Sequence, residues 1–281
     1  MLFDGVLTIN TRRACFLGPC LASFPVLFLP AQEPAGLSAA TLADSSFTWI
    51  RRAAPGFRVY FLADSYAAAN QDNLLARLPP ALDHARSRIR APALDGPIDL
   101  FYLENRAQMT ALIGGRATGF AQPSTRTVLL VTNPEWRGFE RHEIMHVVAQ
   151  DAWGRPAPGT DWLQEGLAQA ADGVCAGYSN ADVMLALTAR HGWIPLDTML
   201  TSFRAQPDLR AYLQAAAFVG YLLQHHGPEP LEELWRRGAR PDSLIRGRPL
   251  AALERRWRGK LRPRQEVSAT TLSAVESKGC G

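Results

Sequence analysis

Residues 141 to 146 read Arg-His-Glu-Ile-Met-His, and eighteen residues separate His146 from Glu165, which lies inside Trp-Leu-Gln-Glu-Gly-Leu-Ala. This pattern limits the fold more than any other part of the chain. A helix sets His142 and His146 four apart on one face with Glu143 beside them, so a second segment must bring Glu165 back against that face. The run Trp136 to Trp153 has helical character, with Phe139, Ile144, Val147 and Val148 as apolar positions around the polar pair. Gly154, Arg155 and Pro156 stop it. A second helix is expected from near Asp161, whose carboxylate can cap free backbone N–H groups, with Glu165 in its second turn. Two helices joined by a loop can then close a three-point grip on one cation.

The donor types indicate which cation. Two neutral imidazoles and one carboxylate form a borderline set that suits zinc, one per chain, and leave a fourth position for water. Zinc lowers the pKa of such a water from about 15.7 to about 7 and polarises a carbonyl oxygen. The expected ligands are His142, His146 and Glu165. Glu143 is the expected general base, taking the water's proton and returning it to a leaving amine.

The set His142-Glu143-x-x-His146 with Glu165 resembles the gluzincin metallopeptidases, and Trp162 to Ala168 resembles the W-L-x-E-G-x-A segment of the peptidase MA-like group. The resemblance implies an α+β, zincin-like fold of the thermolysin/gluzincin type: a mixed sheet with an active-site helix, followed by a mainly helical C-terminal lobe. The spacing is nearest to the aminopeptidase branch. In that branch an acidic residue seven positions past the glutamate ligand supports a ligand histidine, and Asp172 stands there. The branch also carries a Gly-x-Met-Glu-Asn strand that holds a substrate's free amino terminus, and no such segment precedes His142. An endopeptidase is therefore expected over an aminopeptidase. The corresponding region here is Ala117-Thr118-Gly119-Phe120-Ala121, an expected edge strand able to pair with an extended peptide through its backbone. A tyrosine commonly faces the oxyanion in these enzymes. Residues 208 to 227 resemble the relevant helix, and of Tyr212 and Tyr221 the former is favoured, with Gln214 nearby. His191, His225 and His226 read as helix-end residues and His84 as structural or solvated.

The remaining organisation follows from periodicity. Strands are expected at Phe57 to Leu62, Ile98 to Leu103 and Val128 to Val131, and helices at Asn73 to Ile89 and Arg106 to Ile113. Beyond Glu165 the pattern is helical at Ala181 to Arg190, Asp208 to His226, Pro230 to Arg237 and Pro249 to Leu261. The domain expected is 50–263, with a sheet-containing lobe 50–154 and a helical lobe 155–263, preceded by a linker 32–49 and followed by a disordered tail 264–281.

Arg12 and Arg13 precede an apolar stretch from Ala14 to Phe28, and small or turn-forming residues follow, so 1–31 reads as a signal peptide and the protein as periplasmic or secreted. The alternative is a membrane tether through an uncleaved segment, which is also the only route expected to membrane contact. Of four cysteines, Cys15 and Cys20 would leave with the signal, and Cys175 and Cys280 could form one disulfide in an oxidising compartment. A buried, unpaired Cys175 is the favoured reading, because Cys280 lies in a tail with little to anchor it. The formal charge of +4 is spread widely and no nucleic-acid motif accompanies it, so a peptide or protein substrate is expected and nucleic acid is not. A non-catalytic, zinc-stabilised binding or cell-envelope interaction protein is the alternative.

Overall fold

A computed structural model describes residues 36–280, so the segment expected as a signal peptide lies outside the described residues. The described chain begins with α1 (Leu37–Ala43), β1 (Trp49–Ala54), β2 (Phe57–Leu62), the single turn α2 (Tyr66–Ala69) and α3 (Gln71–Ile89). It continues through β3 (Ile98–Leu103), α4 (Arg106–Ile113), β4 (Gly119–Gln122) and β5 (Thr127–Val131) to α5 (Glu140–Trp153), the helix of the two histidines. The fold is α+β with a mixed sheet.

Five strands pair in the order β1-β2-β3-β5-β4. β2, β3 and β5 run parallel, while β1 and β4 close the two edges antiparallel to their neighbours. Every residue of β3 and β5 is buried, which explains their mostly apolar sequences, because both faces of the sheet are covered; the exceptions are Asp99, bonded to Ser38 and Arg58, and Thr127. Alternation divides the apolar residues. Leu100, Tyr102, Val128 and Leu130 join Val59 and Phe61 in the larger core with α3 and α5, while Phe101, Leu103, Leu129 and Val131 pack with Tyr60 and Met109 on the other face.

α5 is buried on most of its faces, including Ile144, Met145, Val147, Val148 and Trp153, and so runs through the interior. It begins at Glu140, later than the sequence suggests, because Asn133 and Trp136 close a turn through reciprocal backbone hydrogen bonds. Glu140 enters the interior with partners: Arg77 Nη2 donates to it at 2.7 Å and Tyr102 Oη at 3.2 Å.

The second half comprises α6 (Asp161–Asp172), a short hairpin β6 (Val174–Cys175) and β7 (Tyr178–Ser179), α7 (Asn180–His191), α8 (Leu196–Thr201), a 3-10 turn Phe203–Ala205 and α9 (Asp208–His226). It ends with α10 (Glu229–Arg237), a hairpin β8 (Leu244–Ile245) and β9 (Arg248–Pro249), α11 (Leu250–Lys260) and α12 (Ala269–Lys278). α6 and α9 pack backbone to backbone at Gly166. A Cβ there would stand 2.8 Å from Val219 Cγ2 and 2.9 Å from the Ala215 carbonyl oxygen, so glycine is what lets the two helices approach.

Three expectations about organisation need correction. The stretch expected as a linker carries α1 and the start of β1: Ser38 Oγ donates to Asp99 at 2.6 Å, and Trp49 packs edge-on against Phe101. The tail expected to be disordered carries α12, capped by Ser268, with Leu272 and Val275 buried in the core and Glu276 bonded to Arg190 and His191. Cys280 is anchored after all, by a disulfide to Cys175. The expectation of a single domain is not among these corrections: its sheet-containing and helical parts share one continuous core within one compact unit, where α5 packs directly on α6.

Candidate metal centre

α5 and α6 bring three donors to one point. The Nε2 atoms of His142 and His146 face each other at 3.2 Å, and Glu165 Oε2 lies 3.3 Å from the first and 3.4 Å from the second. His142 and Glu165 are buried, while His146 is partly open. The three line one side of a cleft of about 680 Å³, which also contains Glu143, Ala117 to Ala121, Arg204 and Tyr212.

Glu143 follows His142 on α5 and is itself buried. Its carboxylate lies against β4 so closely that a Cβ on Gly119 would stand 2.4 Å from Glu143 Oε1. A glycine at that position of the edge strand therefore makes room for the acid. β4 covers the later part of the stretch expected as a strand, and a hydrogen bond from Val131 N to the Thr118 carbonyl extends the pairing by one residue. Among the described residues it is the last strand of the sheet on this side, and Gly119, Phe120 and Ala121 line the cleft.

Glu165 is held from both sides. Arg204 Nη2 donates to its Oε1 at 2.8 Å, leaving Oε2 turned toward the histidines. The same guanidinium donates from Nε to Asp161 Oδ1 at 2.9 Å and from Nη1 to the Tyr212 hydroxyl at 2.8 Å. Arg204 was not singled out from the sequence. It sits in a 3-10 turn remote from both motifs, and no spacing signal points to it.

The electrostatics favour positive charge at the centre of this group. Burial works against a charged His142, but its hydrogen bond to Glu165 and the fields of Glu143, Glu165 and Asp172 outweigh it and raise the imidazole to about 9. Burial likewise pushes Glu165 up, yet His146 and His142 hold it well below the usual carboxylate range. For Glu143 burial prevails, so its pKa is raised. A donor set that retains a proton this firmly suits a cation, and two imidazoles with one carboxylate fit zinc better than calcium or magnesium, which prefer all-oxygen sites.

The other expected site residues divide. Tyr212 is in the cleft, its ring 6.4 Å from that of His142, whereas Tyr221 packs at a tilt against His225 and lines a separate cavity. Gln214 is outside the cleft: it bonds both the N–H and the carbonyl of Ile194, pinning a loop to α9. Asp172 is buried near the centre, but its described hydrogen bond is to Arg137 at 2.6 Å and not to a ligand histidine. It acts on His142 through its field. Also unforeseen are Arg106 and Arg116 on the cleft wall, together with Gly279 and Cys280.

The chain matches no protein-family model and no curated protein.

Proposed function

We propose that this chain is an exported zinc-dependent metallopeptidase of the zincin-like, gluzincin type that cuts peptide or protein substrates internally. The observation that carries this reading is the convergence of His142, His146 and Glu165 with a buried Glu143 beside them on an open cleft. Bound by those three residues, zinc would supply Lewis acidity toward a peptide carbonyl and a water acidic enough to lose a proton near neutral pH.

The chain's own groups account for the rest. Glu143, made more basic by burial, takes a proton from the attacking water and passes it to the leaving amine as the C–N bond breaks. Arg204 orients the Glu165 carboxylate. Tyr212 and the cationic Arg204 are the nearest candidates to stabilise charge developing on the carbonyl oxygen. The outer edge of β4 offers backbone groups to an extended substrate, and a cleft bounded by such an edge suits an internal segment of chain. Export is supported by the Cys175–Cys280 disulfide, which belongs to an oxidising compartment. Among the described residues no helix is long and apolar enough to cross a membrane.

Metal analysis of the purified protein and hydrolysis of a diverse peptide library test the proposal together. About one zinc per chain is expected, and Glu143→Gln should keep the metal while losing at least about a hundredfold in hydrolysis. If that variant cleaves as well as the parent, the assignment of the base is wrong. A zinc-loaded parent that cleaves nothing, yet binds a partner that Glu143→Gln also binds, would favour the non-catalytic alternative.

A further inference from the structure

We propose that the cleft selects acidic peptides, and that Arg106 and Arg116 read a carboxylate within four residues of the bond that is cut. The site of cleavage rests on the peptidase reading; the charge of the ligand does not.

The charged residues lining the cleft, apart from the histidines, are Glu143, Glu165, Arg106, Arg116 and Arg204. Both carboxylates are committed, one as base and one as ligand. Arg204 is committed too, to Asp161, Glu165 and Tyr212. Arg106 and Arg116 remain, and among the described residues neither forms an ion pair with a carboxylate, although the other cleft arginine and the nearby Arg137 and Arg126 all do. Two uncompensated guanidinium groups beside a dication make the wall facing a substrate strongly positive.

Arg106 is held in an unusual way. Its guanidinium lies over the Trp136 ring at 4.1 Å, and its Nε is buried without an acceptor, so a ring face and not a carboxylate fixes the group. It is also the first residue of α4, where a cation opposes the helix dipole and no acidic residue in the first turn offsets it. The Trp136 ring holds the group in place but leaves its charge unneutralised, and an incoming anion would neutralise it.

Arg116 is exposed three residues before Gly119, the point where the edge strand touches Glu143. Arg116 lies in the irregular segment before β4, where three residues of chain reach about 10 Å at most. A peptide laid along β4 in extended form advances about 3.3 Å per residue, so a side chain within four residues of the cleaved bond comes within reach of Arg116. Glutamate or aspartate there meets a cation, and lysine meets repulsion.

The test uses the zinc-loaded full chain and peptides identical except for Glu, Gln or Lys at each of four positions on either side of the cleaved bond. At the best position kcat/KM should favour Glu over Gln by about fivefold, with Lys below both. Arg106→Gln/Arg116→Gln should erase this preference with zinc content and Tm kept, while Arg106→Lys/Arg116→Lys should retain it. Binding of the labelled Glu peptide to the Glu143→Gln protein, followed by fluorescence anisotropy, gives a readout independent of turnover and should weaken with the same two neutralisations. Equal hydrolysis and binding of Glu and Gln peptides would overturn the inference and leave the peptidase intact, as would a preference that survives the double neutralisation. Charge-selective binding that depends on both arginines, without hydrolysis, would support the inference and reject the peptidase.

Discussion

The two walls of the cleft are built in opposite ways. On the α6–α9 side Asp161, Glu165, Arg204 and Tyr212 are locked together by three bonds from one guanidinium, and Gly166 lets the two helices meet closely enough to carry them. On the β4 side the wall is a strand edge with no further strand beyond it among the described residues, a glycine against Glu143 and two arginines without acidic partners among those residues. A network satisfied within the protein first holds its members in place, and what it offers a substrate is confined to the Tyr212 and Arg204 groups proposed to face the carbonyl oxygen. A wall with open backbone groups and uncompensated charge is suited to receive a substrate. Damage to the first should therefore appear in metal affinity, and damage to the second in turnover of a protein that still holds its metal.

The largest separation is expected at Gly119. A valine there cannot coexist with the Glu143 carboxylate, because even its Cβ would stand 2.4 Å from Oε1. Either the acid rotates away or the strand retreats. A shift of about 1 Å in a reacting group costs about a hundredfold in rate, so Gly119→Val should lose about that much in kcat while zinc content stays near that of the parent. Loss of zinc in this variant would show that the β4 wall also shapes the ligand set, and the contrast between the walls would fail.

Arg204 tests the other side. Replacing it with glutamine removes the donor that orients Glu165, and partners that orient a ligand are worth about 10–100-fold in metal affinity. A competition titration with a chromogenic chelator should find Arg204→Gln weakened by about thirtyfold, with kcat at saturating zinc reduced by less than in Gly119→Val. Unchanged affinity would mean that the histidines and the packing of α6 fix Glu165 without help.

The same contrast explains what could be read from the sequence. β3 and α9 have the bounds their patterns suggest, because a short, mostly apolar run and a long amphipathic repeat are local signals. His142, His146, Glu143 and Glu165 were legible because their spacing along two helices encodes their meeting. Arg204 was not, since it reaches Glu165 across 39 residues from a turn that has no periodic pattern. α12 was missed for a related reason. Its burial rests on Leu272 and Val275, and its anchors, Cys175 with Arg190 and His191, lie far away in sequence. Asp172 is the opposite case: position relative to the motif pointed to a histidine, and a loop arginine took the carboxylate instead.

The smallest effect expected on the locked wall is a pH dependence of stability in the metal-free protein. His142 has its folded pKa raised from 6.5 to about 9, so its stabilising contribution is complete below pH 6.5 and is lost as pH rises through about 9. Glu165 is depressed by the same interaction. Its contribution is present above its ordinary value of 4.5 and is lost only as pH falls through its lower folded pKa, so it does not alter the alkaline limb. Denaturant titrations of metal-free protein should accordingly lose about 1–2 kcal/mol between about pH 6 and about pH 8. Zinc must displace the proton from His142, so its affinity should increase across the same window. Removing the imidazole with His142→Asn should flatten the metal-free curve. If the slope persists in that variant, the proton resides elsewhere, and the wall is held by Arg204 alone.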